Sequence, residues 1–154
     1  MNKIFFLLIF ISFNLHNSYS EGYIKANEGI EWDSDNQSYI ATGNVIFKNE
    51  NIEASSERMV AKYIKENNAE VFTVVEFFKN IVIFFKDEIF KGDYAIYTKD
   101  NNIIKINGNV RIESPTRLLT GDELIVDLDN NKRTLNSNTQ ASIVEVLIEN
   151  NASN

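Results

Sequence analysis

The chain has 154 residues, of which 44% are hydrophobic and 24% charged, and this composition predicts one globular domain of ordinary size. The formal net charge is −7, which argues against nucleic acid as a partner because phosphate binding needs a basic face. Cysteine is absent, which excludes disulfides and thiolate metal sites.

The first twenty residues have the layout of a cleavable secretory signal. Lys3 gives a positive start, an apolar run covers 4–13, and a polar stretch ends in the small-x-small pattern Ser18-Tyr19-Ser20. The apolar run is about half of the ~20 residues that a membrane-crossing helix needs. We therefore predict export to the periplasm with cleavage near Ser20, and an uncleaved anchor is the alternative. Cleavage would also remove His16, the single histidine.

The first half of the remaining chain reads as short strands separated by polar turns. Residues 24–30 predict an edge strand, and the polar cluster at 33–37 predicts a turn. Residues 39–48 alternate, which places Val45 and Phe47 on one face of a strand. Residues 56–65 fit a helix or a strand by their own spacing, but the equivalent segment that starts at Glu123 alternates as a strand does. We therefore predict a strand.

The second half continues the same pattern. Residues 71–78 and 81–85 are apolar on both faces, as in strands that are buried on both sides or line an apolar interior. Residues 103–113 form the clearest strand, with Gly108 in its middle predicting a bulge or a bend. Residues 142–148 predict a last strand. No secure helix is found, so the fold class is all-β: a sandwich, roll or repeat stack. The expected division is a signal at 1–20, a domain at 21–148 and a polar tail at 149–154.

Two short markers recur along the chain and indicate internal repeats. The first is Gly43-Asn44-Val45, which returns in degenerate form as Lys79-Asn80-Ile81 and again as Gly108-Asn109-Val110. The starts lie 36 and 29 residues apart. Each is followed by a second marker, which is Ala54-Ser55-Ser56-Glu57, then Gly92-Asp93, then Gly121-Asp122. Repeats of this size are usually supersecondary units that stack to bury their apolar faces.

No constellation of residues points to catalysis or to a metal. Cleavage leaves no His or Cys, so Ser-His-Asp and Cys-His sites are excluded, and no P-loop or dinucleotide fingerprint is present. Two Asp-x-Asp runs, at 33–37 and 127–131, lack the Gly and the Glu of a calcium loop and are interpreted as turns. Nothing in the sequence places two acids on one cleft. We predict a protein that is not an enzyme and has no cofactor and no metal.

These segments together resemble the OstA-like family of lipopolysaccharide-transport proteins. The resemblance extends from about residue 22 to 135 and is carried by residues 24–30, 41–45, 90–97, 108–110 and 120–124. The departures are Lys79 in place of a Gly, and Ser55-Ser56 where Gly-Asp or Ala-Asp is usual. The resemblance implies a twisted β-jellyroll, in which two sheets of short antiparallel strands face each other across an apolar groove.

The same resemblance implies a function in the periplasm. Family members form a bridge along which lipopolysaccharide travels from the inner to the outer membrane, with the lipid A acyl chains in the groove and the sugars in water. The implied partners are an inner-membrane anchor like LptC and an outer-membrane translocon like LptD, which join through strand edges. A head-to-tail homo-oligomer is also implied.

Strand alternation assigns the groove interior, and position in the chain assigns the edges. The residues expected to line the groove and to bind lipid are Val45, Phe47, Met59, Tyr63, Val74, Ile83, Phe85, Tyr97, Ile104, Ile106, Val110, Ile112, Leu124 and Val126. Unpaired strand edges are the usual template for β-augmentation. The residues expected to contact partners at these edges are Ile24, Ala26, Ile30, Val144, Val146 and Ile148.

Three other interpretations stay open at this point. The first is a membrane-anchored sister component of the same transport system, resembling LptC, which would keep its N-terminal segment; N-terminal sequencing of exported protein distinguishes it. The second is a structural, self-assembling envelope protein with a closed core and no lipid ligand. The third is a polysaccharide-binding or hydrolysing module, which the single Trp32 argues against.

Overall fold

The computed structural model describes residues 22–137 and 145–148, and every regular element in them is a strand. The predicted signal at 1–20, the predicted edge residue Val144 and the predicted tail at 149–154 lie outside the described residues. The strands are β1 Tyr23–Lys25, β2 Gly29–Asp33, β3 Ser38–Lys48, β4 Glu53–Glu66, β5 Ala69–Phe85, β6 Glu88–Thr98, β7 Ile103–Ser114, β8 Arg117–Asp127, β9 Lys132–Asn136 and β10 Glu145–Ile148.

All ten strands belong to one antiparallel sheet. Strands β3 to β8 form a meander in which each strand pairs with the next one along the chain. Both ends of the meander carry two short strands: β1 and β2 pair with different parts of β3, and β9 and β10 pair with different parts of β8. The predicted all-β class is confirmed, and so is the strand interpretation of residues 56–65.

The sheet is folded over on itself by a line of bends across its middle. The strand register shifts between Thr42 and Val45, between Phe78 and Ile81, and between Asn107 and Val110. We call the part before the bends sheet I and the part after them sheet II. Sheet I holds residues 29–42, 58–78, 94–107 and 123–136, and sheet II holds 23–25, 45–56, 81–92, 110–121 and 145–148.

The first repeated marker is the bend itself. The paired residues Gly43-Asn44, Lys79-Asn80 and Gly108-Asn109 all have positive φ angles, between 43° and 85°. Gly and Asn tolerate this left-handed conformation best, which explains their recurrence. Lys79 adopts it as well, with φ of 62°, so the departure from the family pattern leaves the bend in place. The bend predicted at Gly108 is confirmed.

Acids of the second marker accept hydrogen bonds from the Asn residues of the bends. The side-chain amide of Asn109 donates a hydrogen bond to the Asp93 carboxylate (2.6 Å), and the amide of Asn80 donates one to Glu57. Asp93 and Glu57 are the acids of the second marker, on β6 and β4. At two of the three bends, the Asn of one strand is therefore bonded to an acid of the second marker on the neighbouring strand.

The core lies between the two sheets. Phe47 of sheet II packs edge-on against Phe72 and Phe77 of sheet I, with ring centroids 5.6 and 5.7 Å apart. The same face of each strand is buried from β3 to β8, as the alternation requires. The N-terminal segment differs from the prediction: in place of one strand over 24–30 there are two, because β1 joins sheet II and β2 joins sheet I.

Gly92 lies where β6 crosses the line of bends, and the structure leaves no room for a side chain there. A Cβ at this position would overlap the Cγ2 of Ile106, which is fully buried and cannot move aside. We expect Gly92→Ala to lower the free energy of unfolding by about 1–3 kcal/mol, as overpacked cores do. Urea unfolding followed by circular dichroism measures the loss.

Gly29→Ala is the matched control for this prediction. A Cβ on Gly29 has no atom within 4 Å, so this variant should stay within about 0.5 kcal/mol of the wild type. Equal stability of the two variants would contradict the packing described around Gly92.

Candidate functional site

Almost all of the residues predicted to line a groove lie between the two sheets. Twelve of the fourteen are at most 3% exposed. They are Val45, Phe47, Met59, Tyr63, Ile83, Tyr97, Ile104, Ile106, Val110, Ile112, Leu124 and Val126. Their place in the interior is therefore observed, while their contact with lipid stays a prediction.

The remaining two residues of the predicted groove differ from each other. Phe85 is partly buried against the core and lies on the inward face, as expected. The prediction for Val74 is wrong: Val74 is only partly buried, and its neighbour Val75 is in the core at 0% exposure. Thr73 is an extra residue in β5, since Lys62 pairs with Val74 while Tyr63 pairs with Phe72. A single extra residue moves every later side chain to the opposite face.

Several interior residues were not predicted. They are Ala41, Ile52, Ala54, Ala61, Val75, Phe77, Ile81, Phe90 and Ala95. Strand alternation could have found two of the alanines. Ala41 lies an even number of residues from Val45 in β3, and Ala54 lies two residues after Ile52, which directly precedes β4. Phe77 lies in a run that is apolar on both faces. Alternation cannot show which of its side chains face inward unless the position of the bulge is known.

The apolar interior reaches the surface at both ends of the roll. At the N-terminal end Ile30 and Trp32 are 46% and 56% exposed, although their strand positions place them on the inward face opposite Ala41 and Tyr39. At the C-terminal end Val146 and Ile148 are 49% and 65% exposed. Between these two mouths the interior residues are closed off from solvent.

The N-terminal mouth is built from aromatic side chains. Trp32 stacks on Tyr39 (6.3 Å between centroids), and its indole N–H donates a hydrogen bond to the hydroxyl of Tyr63 (2.9 Å). Tyr39 donates from its hydroxyl to Glu70 (2.7 Å). Burial, followed by this bond to Glu70, raises the pKa of Tyr39 to about 12, so its phenol is a neutral donor at physiological pH.

The margins of the two sheets that lie away from the bends are the lips of the interior, and polar bridges join them. In the first lip bridge, the side-chain amide of Asn51 in sheet II donates to the Tyr97 hydroxyl (3.0 Å) and lies 3.4 Å from the side-chain oxygen Oδ1 of Asn102. In the second lip bridge, Arg133 pairs with Glu88 (2.5 and 2.7 Å), and Lys86 donates to Asn131 (2.9 Å).

The lip bridges are the side-chain hydrogen bonds that join the two margins within the described part of the chain. Burial raises the pKa of the Tyr97 phenol, so the hydroxyl in the first lip bridge stays neutral. Hydrogen bonds of this kind contribute about 1 kcal/mol each, and those to charged groups about twice as much. The lips are thus held far more weakly than the bends, where the backbone itself is continuous.

The strand edges expected to meet partners are present at both ends. Ile24 lies in β1 and Ile30 in β2, with the partly buried Ala26 between these two strands. Val146 and Ile148 lie in β10. The sequence indicates a short extended piece at 134–135 but not its place in the sheet: it belongs to β9, which forms a second edge at the C-terminal end beside β10. Each end therefore offers one edge in sheet I and one in sheet II.

Two kinds of feature are absent from the described ranges, 22–137 and 145–148. No three His, Cys, Asp or Glu side chains are grouped there so as to hold a metal ion. No helix of sufficient length and hydropathy to cross a membrane occurs in this part. The acids are instead used in surface ion pairs such as Lys105–Glu123, and in turns such as that of Asp33 with Asn36.

Comparison with known proteins decides the family. Residues 23–132 match the family described as "LptA/(LptD N-terminal domain) LPS transport protein". The chain belongs to this family. The match covers β1 to β8 and the first residue of β9, and therefore both sheets and the first lip bridge. The resemblance to lipopolysaccharide-transport proteins inferred from the repeated markers is confirmed.

A solved structure shows the same fold. LptH of Pseudomonas aeruginosa, described as the LptA-homologous periplasmic component of the lipopolysaccharide transport device, superposes with a TM-score of 0.73. The alignment covers 85% of this chain and 96% of LptH, at 12% sequence identity. At this identity the likeness establishes the fold alone, and it confirms the predicted jellyroll. A search of curated proteins gives no match.

Proposed function

We propose that this protein carries lipopolysaccharide through the periplasm, with the lipid A acyl chains held between sheets I and II. The observation that carries the proposal is the apolar interior, which is continuous from β3 to β8 and emerges at both mouths of the roll. Membership of a lipopolysaccharide-transport family supports it. The proposed working unit is residues 21–148, after removal of the signal and without the tail.

Apolar contact alone is sufficient for this kind of binding. Each methylene removed from water contributes about 0.8 kcal/mol, so a lipid with several acyl chains needs no ionic site to be held. Such contacts have no preferred direction along the interior. A chain can therefore slide from one mouth to the other without breaking a specific bond.

The interior is closed in this structure, and lipid uptake must therefore change it. Residues such as Phe47 and Ile83 are fully buried and already in contact with other side chains. We propose that acyl chains enter when the lips part, with the bends at Gly43, Lys79 and Gly108 acting as the hinge line. The lip bridges set the cost of this opening.

The two pairs of edges support the bridge part of the proposal. Edge strands present unpaired N–H and C=O groups to which a further strand can add. We propose that one end of the roll meets an inner-membrane anchor like LptC and the other an outer-membrane translocon like LptD, or a second copy of this chain. Two edges at each end would let a partner extend both sheets at once.

Site-specific photocrosslinking in cells that make lipopolysaccharide tests the proposal. Probes at the interior positions Phe47, Ile83 and Ile112 are expected to form lipid adducts. Matched probes at the outward positions Lys48 and Arg111, on the same strands as Phe47 and Ile112, are expected to form none. Adducts are detected as a shifted band that reacts with an antibody to lipopolysaccharide.

The closed interior also favours a second candidate function, a structural envelope module that binds no lipid. A core with twelve predicted groove residues at or below 3% exposure is what such a module requires. The same experiment separates the two functions. Adducts at neither set of positions, in a folded and exported protein, would exclude lipid carriage and leave the structural module.

A further inference from the structure

A cavity of about 430 Å³ opens beside the C-terminal mouth, between the lips. Its floor is apolar, formed by Ile112 and Leu119 of sheet II. Its walls are polar and come from both sheets: Glu88 and Arg117 of sheet II, and Asn131 and Arg133 of sheet I. Ile112 belongs to the buried core, and Leu119 packs against it. The floor of the cavity is therefore continuous with the interior.

The two arginines that line this cavity differ in their partners. Arg133 is bonded on every side: it pairs with Glu88, donates to Asn131, and lies over the ring of Phe85. Arg117 is exposed, and its guanidinium forms no hydrogen bond or ion pair with the residues that the structure describes. The Arg133 charge is neutralised by Glu88, which leaves the charge of Arg117 uncompensated by the lining.

A third cation, Lys86, lies beside the cavity. Lys86 donates to Asn131, a residue of the cavity wall, and its ammonium lies 5.0 Å from the ring of Phe85. Asp87 follows it in the same turn and is exposed to solvent. The lining itself carries two arginines and one glutamate, a formal charge of +1. In a chain of net charge −7, a cationic cavity is the exception.

A larger cavity in the described part of the chain provides a contrast in charge. It has a volume of about 530 Å³ near the N-terminal mouth and is lined by Glu50, Glu70 and Lys99 among others. Two glutamates and one lysine give its lining a formal charge of −1. An anion would be repelled there and attracted at the C-terminal cavity, although both cavities lie beside the apolar interior.

We propose that the C-terminal cavity binds a phosphate group of an acylated glycolipid, with Arg117 as its main ligand. This inference rests on the proposed function, because the acyl chain of the same molecule would lie along Ile112 and Leu119. Guanidinium groups bind phosphate through paired N–H donors, which an ammonium cannot present in the same geometry. The apolar floor selects a lipid phosphate over free phosphate, since inorganic phosphate gains nothing from it.

Binding of two lipids to the purified full-length protein tests this assignment. The probes are lipid A with its phosphates and the same lipid A after dephosphorylation. We expect the wild type to prefer the phosphorylated form by about tenfold, the effect of one charge-assisted hydrogen-bond pair. Arg117→Gln should bind the phosphorylated and the dephosphorylated lipid with about equal affinity. Its affinity for the dephosphorylated form should match that of the wild type. Arg117→Lys should retain part of the preference.

Arg111→Gln is the matched control. Arg111 lies in β7 on the outer face, near Glu113, and it should keep the wild-type preference. Equal affinities of Arg117→Gln and the wild type for the phosphorylated lipid would overturn the site and leave lipid carriage standing. Binding of neither lipid to the wild type would overturn lipid carriage as well. Displacement of phosphorylated lipid by millimolar inorganic phosphate would show a free-anion site and overturn the lipid assignment.

Discussion

Oxidation of a cysteine pair at Asn51→Cys and Asn102→Cys is expected to abolish lipopolysaccharide uptake, and reduction is expected to restore it. The two side chains face each other across the lips, with amide nitrogen and oxygen 3.4 Å apart. A disulfide there replaces a weak bridge with a covalent one, so sheets I and II can no longer separate on that side. The wild-type chain has no cysteine, so no other disulfide can form.

The measurement is lipid binding by the oxidised and the reduced forms of the same preparation. We expect near-complete loss in the oxidised form, because the buried interior leaves no room for an acyl chain unless the lips part. Lys48→Cys with Glu53→Cys is the matched control, since this ion pair (3.2 Å) joins neighbouring strands of one sheet and does not cross the lips. Equal uptake by the oxidised and reduced lip variant would show that lipid enters by another route.

Phe77→Ala is expected to lower the free energy of unfolding by about 3–5 kcal/mol, the usual effect of removing a buried aromatic ring. Phe77 is 0% exposed and packs against Phe47 of the opposite sheet, so its loss leaves a cavity between the sheets. With an m-value of about 1–3 kcal/mol/M, the urea midpoint should fall by more than about 1 M. Urea titration followed by circular dichroism gives both numbers.

Phe84→Ala is the matched control, because it makes the same substitution at an exposed position of the same strand. Phe84 is 47% exposed on the outer face, and its removal should cost less than about 1 kcal/mol. A larger loss at Phe84 than at Phe77 would mean that the inward and outward faces of β5 are exchanged. The pair of variants thus tests the parity that sequence alone left undecided in this strand.

Alternation along strands with clear patterns was enough to predict most of the interior. In β7 and β8 the buried residues Ile104, Ile106, Leu124 and Val126 follow the period of two without interruption. The repeated markers coincide with the bends for a physical reason, since Gly and Asn are the residues that accept positive φ, although a bend was predicted only at Gly108. The family resemblance rested on the order and spacing of the marker segments, and the jellyroll was implied by that resemblance.

Features that depend on a single extra residue or on distant partners could not be predicted. The bulge at Thr73 decides between Val74 and Val75, yet nothing in the apolar run around it marks the extra residue. The lip bridge of Asn51 with Tyr97 joins side chains 46 residues apart, and polar residues in turns carry no sign of their partners. The closed interior is likewise a property of how the two sheets meet.

The neighbour-to-neighbour pairing of β3 to β8 has a consequence for how the chain acquires its structure. Each hairpin can close as soon as its second strand is available, because loop-closure entropy is small for short separations. Topologies of this kind fold faster than β-proteins whose strands pair across the whole sequence. A chain that crosses a membrane unfolded and N-terminus first can therefore add its strands to the sheet one at a time, in chain order, as they emerge.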